Sequence, residues 1–169
     1  MLIEQKNNKW IKELLKWADE NNIQSNKIPR VENLLLNLTS LNLSFNCIYH
    51  LPKAIFNLKK LTILKLAMQN IKELPSEIGK LKNLNTLNLF MCDLKEIPTE
   101  IKYLTNLTSL NLSSNNLTKL PMEIVSLINL KELDLSLNPL TLSETQELWV
   151  KQLKDKGCVV VREIEVFDL

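Results

Sequence analysis

Leu38–Leu61 reads LTSLNLSFNCIYHLPKAIFNLKKL. Its SLNLS core (Ser40–Ser44) alternates polar and apolar residues with period 2, the mark of a short strand. Leu41 and Leu43 go to one side, and Ser40, Asn42 and Ser44 to the other. Asn46 follows the strand and turns the chain. Asn tolerates the left-handed region, and its amide can bond backbone groups of neighbouring loops. The Leu51-Pro52 pair breaks the backbone where a return path begins, and Ile55, Leu58 and Leu61 line that path as a helical turn. The same text recurs along the chain. Pro29, Pro52, Pro75, Pro98 and Pro121 stand 23 residues apart, each after Ile or Leu. Leu38, Leu61, Leu84, Leu107 and Leu130 repeat at the same interval, with apolar residues at +3, +5, +10 and +13 through the fourth unit. One strand per unit cannot bury its own apolar face, so units of this period must stack, and their strands form a parallel sheet.

The segment matches the pattern LxxLxLxxNxLxxLPxxIxxLxxL. Over about residues 28–142 the chain resembles leucine-rich-repeat proteins of the 23-residue LPxxI type, found among bacterial repeat proteins, plant intracellular Ras-group-related proteins and their animal relatives. The resemblance implies an α/β solenoid whose parallel sheet lines the concave face. It implies a scaffold whose surface, not its fold, carries function.

Solenoid ends must be closed, because an open coil exposes its core. Residues 1–27 form the front cap. There Trp10, Ile11, Leu14, Leu15 and Ala18, with Trp17 beside them, predict a helix over about 8–21. The repeats occupy 28–142. Residues 143–169 form the back cap. Ser143 and Gln146 make a capping box, a helix runs to about Lys156 with Leu148, Trp149 and Leu153 inward, and Gly157 ends it. Cys158–Phe167 (CVVVREIEVF) then reads as a final strand on the last coil.

Composition removes several function classes. The 169 residues fit one domain of the usual ~100–200 residues. Of these, 36 are Leu and 20 are Asn. Lys plus Arg number 21 against 19 Asp plus Glu, so there is no basic footprint for nucleic acid. Two Gly cannot build a phosphate-cradling loop, and Cys47, Cys92 and Cys158 form no C-x-x-C pair, so no cofactor or metal is expected. No 7–15-residue apolar stretch opens the chain and none is long enough to span a membrane, which predicts a cytoplasmic protein with delivery to a host cell left open. The five Asn-x-Ser/Thr sequons then follow from Asn and Ser flanking a repeated Leu. The bias to Asn, Lys, Ile and Leu fits an A/T-rich bacterial genome.

Catalysis needs converging groups, and the only histidine, His50, sits alone at a turn. Glu132 and Asp134 lie two apart on one strand and form a solvated acidic edge. Cys92 takes the Asn46 position in its coil, as Gln69 does in another, and reads as a buried small hydrophobe. No catalytic residue or metal ligand is assigned. The outward positions of each coil are Ser40, Asn42, Ser44, Phe45; Ile63, Lys65, Ala67, Met68; Thr86, Asn88, Phe90, Met91; Ser109, Asn111, Ser113, Ser114; and Glu132, Asp134, Ser136, Leu137. Stacked in columns, Phe45, Met68 and Met91 become neighbours, flanked by Ile63, Ala67 and Phe90. Exposed apolar patches mark interaction sites. Phe45, Ile63, Lys65, Met68, Phe90 and Met91 are therefore the candidate contacts of a monomeric, non-enzymatic module for a protein or peptide partner. Phe45, Met68 and Met91 could instead turn inward and plug the seam between coils. A self-associating unit is the other function in play, pairing through a sheet edge or through the Trp10/Trp17 helix.

Overall fold

A computed structural model of the protein describes residues 9–162. Helix α1 (Lys9–Glu20) and the short α2 (Glu32–Leu36) come first. Strands β1 (Ser40–Asn42), β2 (Ile63–Lys65), β3 (Thr86–Asn88), β4 (Ser109–Asn111) and β5 (Glu132–Asp134) follow, then α3 (Glu144–Asp155) and β6 (Val159–Val161). The six strands form one parallel sheet in chain order. Leu41, Leu64, Leu87, Leu110, Leu133 and Val160 lie in register across it. The expected solenoid is the fold, with the sheet on its concave side and the return segments behind.

Each return segment is a 3-10 turn: Lys53–Asn57, Ser76–Lys80, Thr99–Tyr103 and Met122–Ser126. Each follows its LP proline, whose carbonyl accepts from the amide of the third residue on, as in Ile55 N to Pro52 O at 3.1 Å. Proline suits this entry, because a ring-fixed φ costs nothing where no amide is needed. The strand leucines Leu41, Leu64, Leu87, Leu110 and Leu133 are at most 1% exposed and join Ile55, Ile78, Ile101 and Ile124 in one continuous core.

Side-chain amides tie the coils together. Asn115 Oδ1 accepts from the amides of Cys92 (3.1 Å) and Leu94 (2.9 Å), while its Nδ2 donates to Leu89 O (2.8 Å) and Leu112 O (2.9 Å). Asn138 repeats this on Leu117 N, Leu112 O and Leu135 O. Gln69 reaches Ile48 N and Leu43 O, and Cys92 Sγ donates to Leu66 O at 3.0 Å. The bonding role expected of this position is present in every coil from the second on. Its backbone role differs. The left-handed residue is the one before it, as the next section describes.

The ends are closed as expected, with adjustments. Helix α1 buries Ile11, Leu14, Trp17 and Ala18 and packs on the turn Lys53–Asn57, while Trp10 is half-buried. The capping box is formed, with Ser143 Oγ accepting from Gln146 N and Gln146 Oε1 accepting from Ser143 N at 3.1 Å. Leu148 does not point inward: it is exposed, and the helix buries Gln146, Trp149, Val150 and Leu153. These four recur at i, i+3, i+4 and i+7, a stripe that Leu148 falls beside. Gln146 goes in because its Nε2 donates to Leu120 O at 3.0 Å and meets an otherwise open carbonyl of the last LP turn. Gly157 takes φ +86, as a chain leaving a helix in the left-handed region requires. Val159–Val161 pairs with β5; the expected strand beyond residue 162 lies outside the described residues.

Leu87→Ala should lower the free energy of unfolding by about 2–5 kcal/mol, since a fully buried Leu leaves a cavity that neighbours fill only partly. Lys119→Ala, at an exposed site, should change it by less than about 0.5 kcal/mol. Urea unfolding followed by circular dichroism checks both, and equal losses would contradict the register described.

Candidate partner-binding face

Three-residue strands offer two outward positions each. Ser40, Ile63, Thr86, Ser109, Glu132 and Val159 form one column, and Asn42, Lys65, Asn88, Asn111, Asp134 and Val161 the next. All twelve are exposed or half-exposed. Period 2 predicts that Ser44, Ala67, Phe90, Ser113 and Ser136 continue the pattern outward, and here the structure differs. Ser44, Ala67, Ser113 and Ser136 are buried and Phe90 is half-buried. In four of the five coils the reason is an Asx turn. The side-chain oxygen of Asn42, Asn88, Asn111 and Asp134 accepts from the amide two residues on, at 2.9–3.0 Å, and ends the extended run. The small side chains fit beneath it: Ser44 Oγ accepts from Ala67 N at 3.1 Å, and Ser113 and Ser136 hydroxyls donate to Asn111 and Asp134 at 2.7 Å.

The next residue in every coil is left-handed. Phe45, Met68, Met91, Ser114 and Leu137 have φ between 54° and 63°. Phe45, Met68, Met91 and Ser114 each donate their amide to the following coil (Ala67 O, Phe90 O, Ser113 O and Ser136 O), so the column is continuous. Their side chains do not plug the seam. Phe45 is 73% exposed, Met68 40%, Met91 51% and Leu137 57%. Beside this ridge, Ile63 and Phe90 are half-buried and Lys65 is exposed. The six residues singled out from sequence thus occupy adjoining positions over β1 to β3. The structure adds three that sequence reading did not assign: Leu137 on the ridge, and Val159 and Val161, 63% and 40% exposed, which extend the face onto β6. The triple valine carries the signal for the last two, because a strand in register with β5 must continue its columns.

Charge divides the face. Lys65 lies on β2, and Glu132 and Asp134 lie on β5. Glu132 accepts from Ser109 Oγ at 2.8 Å and Asp134 from the Ser136 amide and hydroxyl, and among the described residues neither carboxylate meets a Lys or Arg. On the convex side a hollow of about 560 Å³ is lined by Ser76, Glu77, Gly79, Lys80, Lys82, Glu100 and Tyr103. Gly79 is needed there, since a Cβ would stand 2.9 Å from the Tyr103 ring. Lys53, 2.8 Å from Glu77 on the same side, holds that carboxyl below its usual range. Within the hollow Ser76 Oγ donates to Glu77 Oε2 at 3.4 Å. His50 and Tyr49 are exposed and line a separate hollow with Asn70, Lys72 and Glu73, whereas Phe56 is fully buried. Burial pushes the Cys92 thiol up to about 11, and burial aided by the Glu132 carboxylate raises Cys158. Cys47 is exposed.

A family model described as leucine-rich repeat region matches residues 13–155. A comparison with curated proteins found no match. Among solved structures, a leucine-rich-repeat protein of Leptospira interrogans is 31% identical with a TM-score of 0.56, over 79% of this chain and 40% of that one. Internalin C2 of Listeria monocytogenes is 28% identical with a TM-score of 0.63, over 76% of this chain and 53% of that one. A plant peptide hormone receptor, RGFR1, solved in complex with RGF2, is 38% identical with a TM-score of 0.57, over 62% of this chain and 18% of the receptor. The chain therefore spans well under two thirds of each of these three. No helix among the described residues is long and apolar enough to cross a membrane.

A left-handed residue with a side chain costs about 1–2 kcal/mol, least for Asn. Met91→Asn should therefore raise the free energy of unfolding, by about 1 kcal/mol in urea titration. Iodoacetamide at pH 8 should label Cys47 at once and Cys92 only on unfolding, since the thiolate is the reactive form. Peptide mass mapping reads this out, and early labelling of Cys92 would contradict its burial.

Proposed function

The chain belongs to the leucine-rich repeat family, and we propose that it is a non-enzymatic binding module. A protein or peptide docks on the concave sheet over Phe45, Ile63, Lys65, Met68, Phe90 and Met91. One observation carries the reading. The fold requires a left-handed residue after each strand, and the chain fills four of five such places with exposed Phe, Met, Met and Leu. With 20 Asn in its sequence, it uses none there. Stability alone favours Asn at each, so these side chains are held against both backbone preference and solvation, as at sites selected for contact. Methionine adapts to varied apolar surfaces. The polar flanks at Asn42, Asn88 and Asn111 give the patch the apolar centre and polar rim of protein interfaces. The plant receptor in complex with RGF2 supports a peptide as one kind of partner for this scaffold.

Self-association through the front helix has less support. Trp17, half of the tryptophan pair that would have formed the contact, is buried in the core.

Met68→Asp and Phe90→Asp should each weaken partner binding by about 2 kcal/mol or more, roughly thirtyfold, because hot spots sit in few central residues. Asn111→Ala, on the same face beyond the patch, should change it by less than about 1 kcal/mol. Capture by immobilised protein, followed by titration of the captured partner, checks this, with circular dichroism confirming that each variant folds. Undiminished binding by both Asp variants would exclude the patch.

A further inference from the structure

The spacing of the ridge points to the shape of what docks on it. Ridge residues repeat once per coil, and coils repeat at the strand spacing of ~4.8 Å. A partner lying along the solenoid axis must present side chains at that interval. An α-helix presents one per turn, every ~5.4 Å, so over the two steps from Phe45 to Met91 it drifts by only ~1.2 Å. An extended strand presents same-face residues every ~6.7 Å and drifts by ~4 Å over the same two steps, almost a full coil. The width agrees as well. The outward columns and the ridge span six residues along each coil, Ser40 to Phe45 in the first, five steps of at most ~17 Å in all, which seats one helix of ~10–12 Å diameter.

Charge supplies the other half of the pattern. Lys65 stands on the second strand of the face, with Glu132 and Asp134 three strands away, about 14 Å, and no cation of the described residues neutralises them. Ser114 interrupts the ridge between Met91 and Leu137.

We propose that the occupant of the concave face is an amphipathic helix of a partner protein. It lies along the solenoid axis with apolar residues at i, i+4 and i+7 on Phe45, Met68 and Met91. Lys or Arg stands on the end that passes Glu132 and Asp134. The inference rests on the concave-face reading above and specifies what fills it.

Two displayed libraries of 16-residue peptides test it against the intact purified protein. One is randomised on a helix-favouring Ala/Glu/Lys frame. The other carries Pro at every third position and stays extended. The helical library should enrich for an i, i+4, i+7 apolar stripe with Lys or Arg near one end. An enriched peptide, followed by fluorescence anisotropy, should lose tenfold or more in affinity on Met68→Asp. On the double variant Glu132→Lys/Asp134→Lys it should lose as much, and a version with Glu at the basic positions should regain it. Enrichment from the extended library alone overturns the helix, and if those peptides also fail on Met68→Asp the concave site itself stands. Enriched peptides of either kind that ignore Met68→Asp overturn both proposals. No enrichment from the helical library overturns the helix, while the capture experiment still decides on the site.

Discussion

Everything in this molecule depends on how the chain leaves its strands. A strand of three residues must turn back within the coil, and the next coil must repeat the turn in register or the leucine core does not stack. The turn is made twice over. In four coils an Asx bond from Asn or Asp bends the chain, and in all five a left-handed residue follows, at Phe45, Met68, Met91, Ser114 and Leu137. The side-chain amide of the buried Asn115 or the half-buried Asn138 then bonds carbonyls of its own coil and the previous one, which sets the spacing between coils. Unpaired backbone groups at this depth would each cost about 1–3 kcal/mol, so the ladder is required by burial as much as it contributes to it.

That constraint has a consequence for the surface. A left-handed residue at the margin of a sheet cannot tuck its side chain into the core, so whatever stands there meets solvent. The position is fixed by folding, while the side chain is free to vary. Coils one to three and five use the freedom for large apolar groups, and coil four uses Ser114. Fold and surface thereby separate within one turn: Asn42 and Asn46 bond the backbone, and Phe45 alone between strand and ladder faces outward.

The scaffold was legible because repetition multiplies weak signals. A single LP pair or alternating pentapeptide says little, but five prolines at one interval leave a single architecture. The capping box at Ser143 and the stop at Gly157 were legible for a similar reason, since each rests on local bonding alone. The concave margin was less so. Period-2 alternation places Ser44 and Ala67 outside; the Asx bond of Asn42, which competes with the strand, brings Ser44 in, and Ala67 follows as its amide donates to Ser44 Oγ. Intrinsic preference puts the left-handed site at Asn46, whereas the ladder needs that residue's side chain inward and shifts the strain to Phe45. Gln146 goes inward because a carbonyl of another coil needs a donor, information that apolar periodicity does not contain, and with Gln146 in the stripe Leu148 falls beside it.

The central claim is that the ridge over β1 to β3 exists for contact rather than for folding. Methyl spectra of the protein carrying 13C-labelled methionine test it directly. Met68 and Met91 lie on the ridge, and Met122 is exposed on the convex side. On titration with a captured partner, the Met68 and Met91 methyl signals should shift or broaden in proportion to occupancy while Met122 stays in place. Movement of Met122 with the ridge methyls unchanged would contradict the account.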